Sequence, residues 1–200
     1  MDASQSVVVS TYEVTDEPIL DAAYRRLPDH VKASIEKLYS EAQIRPRSAI
    51  SELEALLAQY PRLPQLYNYL AVAYSQIGED EKVEAIAQAG IQANPDYLFT
   101  RLNYAELCLQ RKEYAKVEEI LDHKFDLHLL YPKRKRFHVS EVVGFMGMVG
   151  LYFYETQRRD LAQQYYDVLQ KLAPNHPMTR RLKQRLAPNL IDIARASLVR

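Results

Sequence analysis

The chain has few of the features that mark secreted domains, nucleotide-binding enzymes or membrane proteins. A lone cysteine, Cys108, excludes an internal disulfide framework and suits a reducing compartment. Tryptophan is absent, and only five glycines occur in 200 residues, three of them within one segment. Such glycine poverty favours helix over loop through most of the chain. The charges cancel, 26 Lys and Arg against 26 Asp and Glu, so the molecule as a whole is no general binder of polyanions. No apolar run reaches the ~18–20 residues of a membrane helix. The opening MDASQSVVVSTYEV lacks a basic stretch followed by a long apolar one, which argues against a signal peptide. A cytoplasmic protein without membrane insertion is therefore expected. Residues 1–15 read as a flexible tail, although VVVSTYEV also suits a paired strand, and residues 16–200 read as one domain.

What is present is uneven charge and regular punctuation. Residues 1–130 hold 13 basic and 21 acidic side chains, net −8, whereas residues 131–200 hold 13 and 5, net +8. An asymmetry of this size concerns partners rather than fold. Prolines follow helix-like segments at Pro61, Pro95 and Pro174, and the first two lie 34 residues apart. Between them stand Tyr67, Leu70-Ala71, Tyr74, Val83, Ala87 and Pro95. This spacing resembles the tetratricopeptide repeat, which prefers Trp, Leu-Gly, Tyr, Ala, Phe and Pro at those places. Gly78 falls where the first helix must end, and Asp80 is placed to cap the second.

A looser unit follows, with Arg101 in the place of the large aromatic, then Tyr104-Ala105, Cys108, Val117 and Leu121. HKFDLHLLYPKRKRFH then reads as an insertion. Beyond it, VVGFMGMVGLYFY (142–154) falls into the same register through Met146, Val149-Gly150 and Phe153, continued by Ala162, Tyr166 and Pro174. A phosphate loop is excluded there, since no strand precedes the glycines and no Lys-Ser/Thr follows. Gly150 takes the small-residue place where two helices cross closely, while Gly144 and Gly147 point towards the groove or a neighbouring helix. Upstream, Ala49, Leu53, Leu56 and Pro61 fit a second helix, with Val31, Ile35, Leu38 and Ala42 on one face of its partner. EPILDAAYRRL adds a short helix before them.

The resemblance implies an all-α superhelical array of antiparallel helix pairs, a tetratricopeptide-like α-solenoid. Its units span about 30–63, 64–97, 98–131 with an insertion to 138, and 139–176. Closing helices are expected over 178–199, with Leu182, Leu186, Leu190, Ile191 and Ile193 covering the last apolar edge.

Chemistry is scarce. His123 and His128 are five apart, the wrong spacing for a zinc helix, and Asp122 and Asp126 complete a metal site only if the insertion folds around one. His30, His138 and His176 lie at expected helix starts or loops and read as solvated. No Gly-x-Ser-x-Gly occurs, and Cys108 sits among apolar positions. No cofactor, metal or catalytic residue is expected. The protein reads as a non-enzymatic scaffold.

Members of the resembled family hold peptides or helices of other proteins on a concave face lined by first helices. That face maps here to Gln65, Asn68, Val72, Gln76, Phe99, Leu102, Asn103, Glu106, Gly147, Leu151 and Tyr154. One sub-class grips chaperone C-terminal carboxylates with Lys and Asn, then Asn, then Lys and Arg. Asn103 fits the middle place, but Asn68, Val72, Gly144 and Met148 occupy the others, so the carboxylate lacks its cations. The clamp is rejected. The alternative function is an RNA- or anion-binding adaptor. It would use a basic rim of Lys133, Arg134, Lys135 and Arg136 with Arg180, Arg181, Lys183 and Arg185, sharing one edge, and Tyr131 and Phe137 stacking on bases. A solvated link is the plainer account of that run. Head-to-tail self-association between the acidic front and the basic back is a third option.

Overall fold

The structure is a computed structural model that describes residues 12–187. In chain order its elements are β1 (Glu13–Thr15), α1 (Ala22–Arg25), α2 (Asp29–Ile44), α3 (Pro46–Gln59), α4 (Pro64–Gln76), α5 (Asp80–Ala93) and α6 (Leu98–Gln110). There follow α7 (Tyr114–Ile120), α8 (Leu127–Leu130), β2 (Arg136–His138), α9 (Val139–Glu155), α10 (Arg159–Leu172) and α11 (Pro177–Leu186).

Proline sets many of these boundaries. A residue before proline is sterically excluded from the helical region, so a helix stops there. Arg45, Tyr60, Asn94, Tyr131 and Ala173 each precede a proline and each ends a helix, at φ between −126° and −151° and ψ between 58° and 70°. Tyr131-Pro132 is thus the delayed stop of the third unit, after the insertion has added α8. Proline also opens α3, α4 and α11, where its missing N–H costs no hydrogen bond.

Four antiparallel pairs result: α2 with α3, α4 with α5, α6 with α7, and α9 with α10. The first helices α2, α4, α6 and α9 stack in one layer, and α11 joins that layer by packing on α9 and α10. The array is the helical solenoid expected. Val31, Ile35, Leu38 and Ala42 all face inward, as do Ala49 and Leu53. Segment 142–154 lies inside α9, and Gly150 serves close approach. A methyl added there would meet Leu182 Cδ2 at 2.6 Å and Tyr165 Cβ at 3.2 Å.

A polar ladder ties each unit to the next. Glu54 of α3 accepts from the Tyr74 hydroxyl of α4, and Lys82 of α5 lies 5.3 Å over that ring. Glu84 of α5 accepts from Tyr104 of α6 at 2.8 Å and from Lys116 of α7 at 2.6 Å, with Arg111 at 3.0 Å. Bonds from Lys116 and then Tyr104 hold the Glu84 carboxyl down to about 2. Glu118 of α7 accepts from Tyr152 of α9, with Arg158 5.0 Å over the ring. Tyr152, which the repeat pattern leaves unexplained, belongs to this ladder.

Two expectations need correcting. Residues 13–15 are not tail but a strand, the alternative that VVVSTYEV allowed, because the insertion supplies a partner: β1 pairs parallel with β2 through Glu13↔Arg136, Val14↔Phe137 and Thr15↔His138. Asp80 does not cap α5 with its side chain. It sits in the first turn, where a carboxylate complements the helix dipole. Of the closing helices, α11 runs to Leu186 with Leu182 and Leu186 buried. Leu190, Ile191 and Ile193 lie outside the described residues.

The turns inside the last three pairs share one geometry. Gly78, Lys112 and Gln157 adopt φ of 74°, 60° and 63°. The next residue's N–H returns to the helix in each case, from Glu79 to Tyr74, from Glu113 to Cys108 and from Arg158 to Phe153. This is the Schellman closure, which places its penultimate residue in the left-handed region that a Cβ disfavours. Lys112→Gly and Gln157→Gly should therefore each raise stability by about 1 kcal/mol in urea unfolding. Gly78→Ala should lower it by a similar amount.

Candidate functional site

The layer of first helices is flanked by the chain's own segments at two places, with a hollow between them. Near its C-terminal end the cover is α11. Met178 lies on Gly147, so close that a Cβ there would come within 2.8 Å of Met178 Cε, and Leu182 lies on Gly150. Arg181 of α11 reaches Glu106 of α6 at 2.8 Å, and Arg185 reaches Glu155 at 3.5 Å. Leu151 is consequently only 1% exposed. Gly147 and Leu151, expected to meet a partner, instead form the floor beneath α11. Leu102 is also buried, and Gly144 is filled by its side chain. Tyr154 is half-buried against the core.

At the opposite end the cover is the N-terminal segment. Pro18–Asp21 passes over the first turns of α4, α6 and α9, leaving a cavity of about 700 Å³ bordered by Gln65, Asn94, Tyr97, Phe99, Arg134 and Glu141. Asp21 accepts from Gln65 Nε2 at 2.9 Å, and Tyr24 of α1 donates to Glu36 of α2 at 3.3 Å. Burial pushes the Tyr69 hydroxyl nearby up to about 12. Phe99 is thus a wall of this cavity.

Between the covers, Asn68 and Asn103 join across α4 and α6 at 2.7 Å. Towards the helix ends Val72, Ser75, Gln76, Asn103, Glu106 and Gln110 surround a hollow of about 150 Å³. The side chains of Ser75 and Gln76 are exposed and make no hydrogen bond or ion pair among the described residues.

The basic rim does not assemble as expected. Arg134 pairs with Glu141 at 2.8 Å near the start of α9, whereas Arg185 pairs with Glu155 near its end. At 1.5 Å per residue those carboxylates are about 21 Å apart along the helix. The two clusters lie at opposite ends of α9 because α11 runs parallel to it. Arg136 is held by Glu13 and Glu17, and Arg181 by Glu106. Lys133, Lys135, Arg180 and Lys183 stay exposed without an ion pair among the described residues. Tyr131 and Phe137 are buried, with the Arg134 guanidinium 4.2 Å from the Phe137 ring, so neither offers a face to a base.

The histidines also differ from expectation. His138 and His176 are half-buried helix caps rather than solvated side chains. His138 Nδ1 accepts from Ser140 N–H, and Glu141 closes a capping box on the His138 N–H. His176 Nδ1 accepts from Met178 N–H at the head of α11. Burial pushes the Cys108 thiol up to about 11, which leaves it an inert apolar group. Among the described residues no group of three or more His, Cys, Asp or Glu is placed to hold a metal. No helix among them is long and apolar enough to cross a membrane. Sequence reasoning missed the place of Met178 and the Arg181–Glu106 and Glu13–Arg136–Glu17 contacts, all of them long-range.

Leu151→Ala should cost about 2–5 kcal/mol in urea unfolding, the range for a buried leucine; an effect within about 0.5 kcal/mol would instead mark an exposed position. Burial, then the Arg180 charge, holds the His176 imidazole below its usual range. Its contribution to stability is therefore complete above the unfolded value of about 6.5 and is lost as pH falls through the folded value. Thermal melts should show the wild type losing stability on acidification below about pH 6.5 relative to His176→Asn, whose cap does not titrate.

No protein-family model and no curated protein matches this sequence. Among solved structures it is similar to the crystal structure of a thermophilic TPR protein in Thermus thermophilus. The two share 19% identity over 82% of this chain and 88% of that one, with a TM-score of 0.60. The chain therefore has the fold of a tetratricopeptide-repeat array.

Proposed function

We propose that the protein is a non-enzymatic scaffold that holds a peptide or helix of a partner protein on the concave face. The open strip between α4 and α6 is the contact surface. One observation carries this reading: both flanks of the layer are covered by the chain's own segments, yet Val72, Ser75, Gln76 and Gln110 are left uncovered around a hollow. At about 150 Å³ that hollow is smaller than the ~300–1,000 Å³ of small-molecule sites. It suits one inserted side chain. Exposed polar groups around a small hollow walled in part by Val72 and Leu107 suit a protein contact, in which a buried anchor supplies the energy and its rim the register. Asn68 and Asn103 fix the distance between the two helices and so the width of the strip.

Polyanion binding is the weaker alternative. Half of the rim cations are already neutralised by carboxylates and both flanking rings are buried.

Affinity capture from a cell extract, quantified by mass spectrometry, tests the proposal. The double variant Val72→Glu, Gln76→Glu should lose the proteins that the wild type retains while its melting temperature stays unchanged. Equal capture by both would remove the strip as the binding surface. Retention of nucleic acid, abolished by Lys133→Ala with Lys135→Ala, would put the polyanion reading in its place.

A further inference from the structure

The two-stranded ribbon lies outside the repeat pattern. β2 arises in the insertion and offers an edge, and β1 arrives at that edge from more than a hundred residues away. The Glu13 N–H donates to the Lys135 carbonyl at 2.8 Å. Arg136 lies 3.3 Å from Glu13 and 2.8 Å from Glu17, and it donates to Thr15 Oγ1 at 3.0 Å. Tyr12 sets its ring edge-on to Phe137 at 5.0 Å. His138 Nε2 stands 3.2 Å from the Asp16 carbonyl, and Nδ1 accepts from Ser140, so Nε2 carries the proton and donates. The edge thus presents backbone partners, a cation that takes two carboxylates, and an aromatic shelf one residue before the first of them.

We propose that the β2 edge is an acceptor site for an extended, acidic strand of a partner protein, and that residues 12–17 of this chain occupy it in cis until such a strand replaces them. The site reads backbone by strand addition and side chains by charge, the combination typical of sheet-edge recognition.

Three observations favour replacement. β1 is only three residues long. Its ion pairs are solvent-exposed, with side-chain exposures of 45% for Arg136, 65% for Glu13 and 74% for Glu17. Water screens exposed pairs of this kind, so they hold the strand only weakly. Lys133 and Lys135 flank the edge and find no carboxylate on the cis strand. A partner strand with more acidic residues gains contacts that residues 12–17 do not make. A second copy of this chain gains none. It would bring the same strand against a tethered competitor whose effective concentration is about millimolar, and so it loses at micromolar protein.

The test uses the full chain and a fluorescent peptide of sequence YEVTDEPILD, that of residues 12–21, read by anisotropy at low salt. The wild type, its edge occupied, should bind the peptide weakly. Glu13→Lys with Glu17→Lys, which repels the cis strand from Arg136, should bind at least about tenfold tighter. Arg136→Glu in that background should reverse the gain, and a peptide with Gln in place of its carboxylates should not bind. Tyr12→Ala serves as a second release variant, with circular dichroism confirming an intact fold in each. Equal affinity in the wild type and both release variants overturns the proposal, as does indifference to Arg136→Glu. Concentration-dependent dimers of the wild type at micromolar protein, seen by sedimentation equilibrium, would assign the edge to a second copy and overturn it equally.

Discussion

A pair of antiparallel helices buries only one side of each helix, and its remaining apolar surface stays in water until another pair covers it. Everything in this structure answers to that constraint. The four pairs share one seam of buried side chains from Tyr24 to Leu186, divided into two clusters that meet around α5 and α6. The glycines of α9 answer to it as well, because the helix that covers Gly147 and Gly150 comes too close for any Cβ. Each buried Leu, Val or Phe contributes about 1.5–3 kcal/mol relative to exposure. The array therefore draws its stability from contacts between units as well as within them.

The constraint bites hardest on segments without a repeat neighbour, and there the chain uses non-repeat material. Helix α11 covers α9 and α10, reaching as far as α6 through Arg181. At the other end α1 and the segment before it lie across α2 and α4, anchored at Asp21 and Tyr24. These covers also subtract area from the exposed face of the first helices. What is left is the strip at the ends of α4 and α6, and the half-enclosed cavity under Pro18–Asp21. The polar ladder of Glu54, Glu84 and Glu118 joins successive units on tyrosine hydroxyls without entering that surface.

Several features were legible because they recur. Pro61 and Pro95 mark the period, and Gly78 marks a turn whose left-handed residue recurs 34 positions later as Lys112. Lys82 and Lys116, and Glu84 and Glu118, keep the same spacing. A reading of charged residues at the period would have found the ladder beside the apolar seam. Lys112 and Gln157 were hidden because neither residue type announces a positive φ. Arg101 replaces an aromatic yet keeps the third unit intact, since its guanidinium donates to the Ile120 carbonyl at 2.6 Å and pairs with Asp122. The histidine caps escaped notice because imidazole seldom takes the place of Ser, Thr, Asp or Asn at a helix start.

By itself the sequence determined where helices begin and end, which faces are apolar and that the pairs stack, because each of these follows from local sterics and from periodicity along the chain. Only the tertiary structure decided which part of the concave face is open, which rim cations are already neutralised, and that residues 13–15 form a strand on the insertion. Those outcomes depend on contacts between residues such as Glu13 and Arg136, or Glu106 and Arg181, far apart in the chain. No local rule or repeat spacing encodes such a pair. Its partners are fixed by the superhelical path of the whole array, which sums the packing of every unit between them.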